Sequence, residues 1–488
     1  MSNDITERIA HLTPAQRAKL TLALERKRDP RQEIIRPSDL DAPPVLSFAQ
    51  QQLWFIEQLM PGNTPYNVPI YLRLRGRLDI EALKRALDTI VERHQVLRTR
   101  VVMADGKPKP MLAPAWSVEL KRYDLRSMPA EARKGETQRM LKTEASRAFD
   151  LPCDLLLRTM LIQLTDDEHI FFHNSHHIAW DLGSKAVFYR ELESLYDANR
   201  SGRPPSLPVL PIQYSDYAAW QRQWLRGKTL DELASYWREQ LAGAPTKLEI
   251  PADRPRPRVQ TLRGGKLSAT LSKPVLDAAK TFSAAGGFTL FMTMLSAFAV
   301  FLFSYTGQED MLIGSPVDGR DRPETKNLIG FFINTVVLRV RLARGQSFRE
   351  LVHSVRESTL AALERSQLPF QKVVEVVRPP RDMSRSPLFQ VNFRLQPGPP
   401  IKLRLAGLEV DGPSVVDNAA AKFDLSLELA SVEGGAGFWE YSTDLFERQT
   451  VTRMAGDFDR LLAALVSEPD LPLGHHDLRV GGAQKHGN

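Results

Sequence analysis

"FFHNSHHIAWDLGSKA", residues 171–186, passes from an apolar, strand-like run into a polar loop and then into a helical pattern. The strand ends between Phe172 and Ile178, and a helix begins near Gly183 or Ser184. Upstream, "LLLRTMLIQL" and "EHIFFHNSHHI" both read as strands that pair around the turn "TDDEH". Downstream, "GSKAVFYRELESLYDAN" reads as a helix. Paired strands running into a helix mark a mixed α/β fold, with His176, His177 and Asp181 on the connecting loop, where functional groups are commonly displayed.

The same style continues in both directions. "LSFAQQQLWFIEQLMPG" is predicted as a helix capped by Ser47 and stopped by Pro61-Gly62. "PIYLRLRGRL" alternates as a strand, and "DIEALKRALDTIVERHQVL" is an amphipathic helix capped by Asp79. "RSGRPPSLPVLPIQYSDYA" breaks the pattern, after which helices and strands resume. "NLIGFFINTVVLRVRL" reads as one long apolar strand, "LFQVNFRLQ", "KFDLSLELA" and "GFWEYSTDLF" as further strands, and "RQTVTRMAGDFDRLLAALVS" as a closing helix. With 488 residues the chain exceeds one ordinary core, so two lobes are expected. The divisions are an N-terminal helical docking or linker segment at 1–37, a first lobe at 38–215, a second at 216–480 and a tail at 481–488.

Composition narrows the function. Net charge is +7, but both signs are interspersed and no basic run carries interleaved aromatics, so a nucleic-acid partner is not expected. The single cysteine, Cys153, rules out an intrachain disulfide and argues against a thiolate zinc site. The N-terminus lacks the apolar core of a signal peptide, and a cytoplasmic location is expected. "FTLFMTMLSAFAVFLFSYTG", 288–307, is uncharged and nearly long enough to span a bilayer, but no Lys/Arg cluster flanks it; a buried core helix is expected, and no membrane association.

An imidazole on a strand-end loop can take a proton from an incoming nucleophile. The pattern leaves open whether His177 does so or packs in the core; His176 is assigned to the core, and Asp181 is an ion-pair candidate that holds the loop. No metal is expected, since only His173 stands nearby as a third ligand. No G-x-S-x-G elbow is present, and Cys153 lies outside the motif.

"HHIAWD" resembles the His-His-x-x-x-Asp signature of the condensation domains of nonribosomal peptide synthetases, in the chloramphenicol acetyltransferase-like superfamily. Further motifs of that family follow in order: "LSFAQQQLWFIEQLMPGNTPYNVP", "RHQVLRTRV", "YSDYAAWQR", "IGFFINTVVLRV", "LPFQKVV" and "RDMSRSPLFQVNF", with "DRPRP" and "GSPVDGRDRPE" also typical; the resemblance covers roughly residues 40–465. It implies two acetyltransferase-like lobes in a V-shaped pseudo-dimer with a central tunnel. Donor and acceptor carrier proteins would enter from opposite sides on phosphopantetheine arms, with no cofactor bound to the chain itself. His177 would be the catalytic group that positions the acceptor or acts as base. Asp181 would pair with Arg98, or alternatively Arg93, and Asn334 would lie on the facing lobe near the tunnel. Trp180, Leu182, Gly183 and Ser184 would line or shape the passage. The product is an amide or an ester, and the protein is expected to be a free-standing or excised monomer. Alternatives are a non-catalytic member that recruits a partner protein and an acyltransferase that uses coenzyme A thioesters with a small alcohol.

Two departures stand out. The family usually places glycine directly after the motif aspartate, whereas here Leu182 holds that position and glycine follows at 183. Leu182 is expected to narrow the passage, with Trp180 adding bulk. Gln52 stands where arginine is common in the first motif.

Overall fold

The computed structural model describes residues 34–37 and 44–476, apart from 63, 115, 397, 399–400 and 431–434. Most of the N-terminal segment 1–37 and the tail 481–488 lie outside the described residues. The helices are α1 (Phe48–Leu59), α2 (Ile80–Arg93), α3 (Ala130–Ala145), α4 (Leu182–Ser201), α5 (Tyr214–Trp224), α6 (Gly227–Gln240), α7 (Lys273–Ala285), α8 (Leu290–Thr306), α9 (Phe348–Glu364), α10 (Phe370–Val377) and α11 (Arg448–Ser467). The strands are β1 (Asn67–Arg75), β2 (Thr99–Ala104), β3 (Lys107–Leu112), β4 (Leu120–Asp124), β5 (Leu157–Gln163), β6 (Glu168–His176), β7 (Gly264–Thr270), β8 (Asp310–Val317), β9 (Asn334–Arg341), β10 (Val391–Gln396), β11 (Glu409–Val415), β12 (Leu425–Ala430) and β13 (Ala436–Ser442).

Two sheets organise the molecule. One runs β11-β1-β6-β5-β4, the other β7-β13-β12-β10-β8-β9, and β2-β3 form a separate hairpin. The predicted hairpin around "TDDEH" is present, with β5 and β6 antiparallel from Leu157↔Ser175 to Gln163↔His169. Local chemistry sets the helix starts as the sequence indicates. Ser47 closes a reciprocal capping box with Gln50, and the Asp79 carboxylate accepts from the Ala82 amide at 2.8 Å.

The uncharged stretch forms α8, whose residues Met292–Phe303 are buried without interruption, against β10, β13 and α11 through Phe393, Trp439 and Phe458. Each large apolar side chain buried there contributes roughly 1.5–3 kcal/mol over exposure. Among the described residues no single helix is long and apolar enough to cross a membrane.

The second half of the chain does not stay on its own side. β11 pairs with β1 in the first sheet, and Leu403 and Leu405 join the first lobe's core. The long strand expected over 327–342 is also corrected: only Asn334–Arg341 is strand. Residues 328–332 leave the sheet because Leu328, Ile329 and Phe332 pack into the first lobe's core, and the Gly330 backbone fits under Tyr214, where a Cβ would lie 2.1 Å from the ring. Hydrophobicity marked those positions as buried, but their burial is in the other lobe.

Candidate active site

β6 ends at His176, and a single 3-10 turn, His177–Ala179, leads into α4. His176 stabilises that turn. Its Nδ1 accepts from the Ile178 amide at 3.1 Å, which leaves Nε2–H to donate to Glu57 Oε1 at 3.2 Å. Both nitrogens are engaged and the ring is 1 % exposed, so His176 belongs to the core.

His177 faces the other way and is half-buried. Its backbone amide donates to the Tyr66 carbonyl at 2.8 Å. Its Nδ1 lies 2.9 Å from the Trp180 carbonyl, which can only accept, so Nδ1 carries the proton and Nε2 keeps its lone pair. Phe331 from the 328–332 loop and Tyr66 flank the ring, with centroids 5.8 and 6.5 Å away. Burial, with further help from the Lys422 ammonium, holds the imidazole well below its ordinary value and therefore neutral near pH 7.

Asp181 caps α4 and binds the two halves of the chain together. Its Oδ1 accepts from the Ser184 amide at 2.8 Å and from Arg320 Nη2 at 2.7 Å; its Oδ2 accepts from Arg320 Nη1 at 2.7 Å and from the Phe332 amide at 2.9 Å. Ser184 Oγ adds a hydrogen bond to Oδ1 at 2.8 Å and accepts from the Gly330 amide at 2.9 Å. A carboxylate with five donors has no capacity left for proton transfer, so Asp181 is structural. The Arg320 guanidinium lies 4.3 Å from the Phe332 ring centroid.

The expected partner of Asp181 is therefore corrected. Arg98 donates instead to the Ala113 carbonyl at 3.2 Å, because its helical turn leads into the β2-β3 hairpin, and Arg93 pairs with Glu191 at 3.0 Å. Trp180 does not line a passage: its ring is 1 % exposed, packed on His173 and Phe188, and only its carbonyl serves the site. Leu182 is the first residue of α4 and is half-buried. Gly183 has a specific steric reason, since a Cβ there would lie 2.3 Å from Arg320 Nη1. Asn334 binds its own lobe, donating to the carbonyls of Ser366 and Leu368 at 2.6 and 2.7 Å and accepting from the Phe370 amide at 3.0 Å. It pins the chain before α10. His173 turns its Nε2 to the Tyr189 hydroxyl at 3.0 Å, and among the described residues no group of three His, Cys, Asp or Glu side chains could hold a metal.

Sequence reasoning assigned no role to Arg320, although it lies in the quoted "GSPVDGRDRPE"; the 139-residue separation from Asp181 left no local signal. Tyr66, Phe331 and Lys422 likewise escaped notice as neighbours of His177.

Residues 44–481 match the model of the family described as the condensation domain. The chain belongs to the condensation-domain family. It is 41% identical over 440 residues to malpinin synthetase of Mortierella alpina, covering 90% of this chain and 6% of that synthetase. It is 39% identical over 469 residues to phosphinothricin tripeptide synthetase PhsC of Streptomyces viridochromogenes, covering 96% of this chain and 43% of the synthetase. The chain thus spans less than half the length of these curated relatives. Among solved structures, the X-domain in its complex with OxyB from teicoplanin biosynthesis aligns with a TM-score of 0.80 at 26% identity, over 91% of this chain and 98% of that one. SgcC5 from Streptomyces globisporus aligns at 0.74 and 26%, over 88% and 100%. The fold is the two-lobed, chloramphenicol acetyltransferase-like α/β fold of condensation domains, an acyltransferase family of peptide natural-product synthesis.

Proposed function

We propose that this condensation domain transfers an acyl group from a carrier-protein phosphopantetheine thioester to an amine acceptor on a second carrier protein, with His177 as the group that receives the acceptor's proton. The observation that carries this reading is the tautomer of His177: the Trp180 carbonyl fixes the proton on Nδ1 and leaves the Nε2 lone pair free at a half-buried position. The acceptor nitrogen attacks the thioester carbonyl carbon, and the resulting tetrahedral adduct carries a positively charged nitrogen. Nε2 takes a proton from that nitrogen, the C–S bond breaks, and the proton passes to the departing pantetheine sulfur. A weakly basic imidazole suffices, because the adduct's ammonium is far more acidic than the free amine's. A hydroxyl acceptor would have to lose its proton earlier, to a stronger base, so amide formation is favoured over ester formation. Flanking Tyr66 and Phe331 exclude water, which would otherwise hydrolyse the donor.

The chain itself binds no cofactor in this reading. It works as a monomer in the cytoplasm, where it meets donor and acceptor carrier proteins through the space between the lobes. The likeness to the X-domain solved with OxyB supports a second reading, a non-catalytic domain that recruits a partner protein. The two separate in one experiment: loaded donor carrier and aminoacyl acceptor carrier are mixed with the protein and followed by intact-protein mass spectrometry. Acyl transfer supports the first reading. A carrier-independent reaction with coenzyme A thioesters contradicts it, and no transfer with cognate carriers favours the second.

A further inference from the structure

The wall of the second lobe nearest His177 is charged, and its charges do not balance. On β10, β12, β13 and β7 the side chains of Phe393, Leu427, Trp439 and Leu267 turn into or against the core. The two-residue period then sends Arg394, Glu428, Glu440 and Lys266 to the opposite face. Arg394 pairs with Glu428 at 3.1 Å and Lys266 with Glu440 at 3.8 Å. Two more ammonium groups enter this region. Lys422 stands 5.0 Å over the Tyr66 ring, the same ring that flanks His177, and Lys185, from the first turn of α4 in the other lobe, comes close enough to Glu428 and Arg394 to feel both charges. Among the described residues neither has a carboxylate within ion-pair distance. Both are held below the ordinary lysine value by burial, Lys422 at about 8. Glu428 and Glu440 attract these ammonium groups from beyond ion-pair distance, but each is already paired, with Arg394 and Lys266, so two positive charges remain in excess. A desolvated ammonium that lacks a counter-charge of its own is costly, and an anion delivered to it offsets that cost.

The geometry points to a carboxylate-binding subsite beside His177, in which Lys422, aided by Lys185, receives a carboxylate carried by one of the two condensing substrates. The phosphodiester of a pantetheine arm does not meet this need, because it sits at the opposite end of the arm from the reacting thioester. The inference rests on the proposed reading of His177 as the condensation centre and adds the substrate class: an acidic acceptor or an acidic acyl donor.

The test is direct binding, measured by calorimetry with non-reactive aminopantetheine amides. Aspartyl against asparaginyl probes the acceptor as the source; succinyl against succinamoyl probes the donor. The expected result is that, in one of the two pairs, the carboxylate form binds the wild-type protein about tenfold more tightly, as one charge-assisted contact provides. That preference disappears in Lys422→Gln, weakens in Lys185→Gln and is kept in Lys422→Arg, which controls for folding. Equal affinity within both pairs, no binding of any of the four, or a preference that survives Lys422→Gln overturns the inference. Binding does not require turnover. A carboxylate preference without acyl transfer therefore contradicts the function proposed above, whereas acyl transfer without the preference contradicts only this subsite.

Discussion

Alanine at position 183 is expected to destabilise this protein, against the ordinary rule. Gly183 lies in the first turn of α4 without a positive φ, and a glycine-to-alanine change inside a helix normally stabilises by about 1 kcal/mol. Here the new Cβ would sit 2.3 Å from Arg320 Nη1 and 2.6 Å from Cζ, so the guanidinium must move. It cannot move freely, because it holds both oxygens of Asp181 at 2.7 Å, with side-chain exposures of 7% for Arg320 and 0% for Asp181. Overpacking costs roughly 1–3 kcal/mol, and full loss of a buried ion pair roughly 3–5. Less the helix gain, the net is a loss of about 2 kcal/mol, read as a lower midpoint in urea at unchanged slope. The same change in an Arg320→Ala background meets no guanidinium and regains the helix benefit, so the double-mutant cycle shows a coupling of about 3 kcal/mol. In that background Asp181 keeps the amides of Ser184 and Phe332, and the cycle is read only once the urea transition of Arg320→Ala itself shows a folded baseline. A stabilising Gly183→Ala in the wild type, or additivity in the cycle, refutes the argument.

Three other outcomes follow from the same structure. Asn334→Ala removes three hydrogen bonds that tie β9 to residues 366–370 and should cost about 2–3 kcal/mol, with faster proteolysis before α10. His173 is fully buried and held at about 3, so the unfolded chain takes up its proton below pH 6.5 while the folded chain does not. Stability is therefore lost as pH falls from about 6.5 towards 3, by about 2 kcal/mol at pH 5 from this residue, and His173→Phe should flatten that part of the urea-midpoint profile. Because His177 is held well below the ordinary histidine value, the acid limb of the single-turnover transfer rate should lie well under pH 6.5; a limb at 6.5 would mean an exposed, unperturbed imidazole.

Where the determinants were local, the sequence disclosed them. The caps at Ser47 and Asp79, the hairpin of β5 and β6, the apolar core helix α8 and the placement of His177 on a strand-end turn all depend on residues a few positions apart. The misreadings share a different cause. Asp181 reaches Arg320 rather than Arg98, Leu328–Phe332 are buried in the opposite lobe, and β11 joins the first sheet. Each of these crosses between halves, and hydrophobic periodicity reports that a residue is buried without saying against which neighbour. Trp180 shows the complementary limit. Its bulk suggested a channel wall, while the group that matters is its backbone carbonyl, which no side-chain pattern reveals.

The most direct measurement compares acyl transfer between loaded carrier proteins by the wild type, His177→Ala and His176→Ala, followed by quenched-flow mass spectrometry, with urea midpoints on the same samples. A proton-accepting His177 predicts a loss of about 10²–10⁴ in rate for His177→Ala at nearly unchanged stability. His176, tied to Glu57 and the Ile178 amide, predicts the reverse emphasis, with stability falling first. Transfer by His177→Ala at the wild-type rate would contradict the account at its centre.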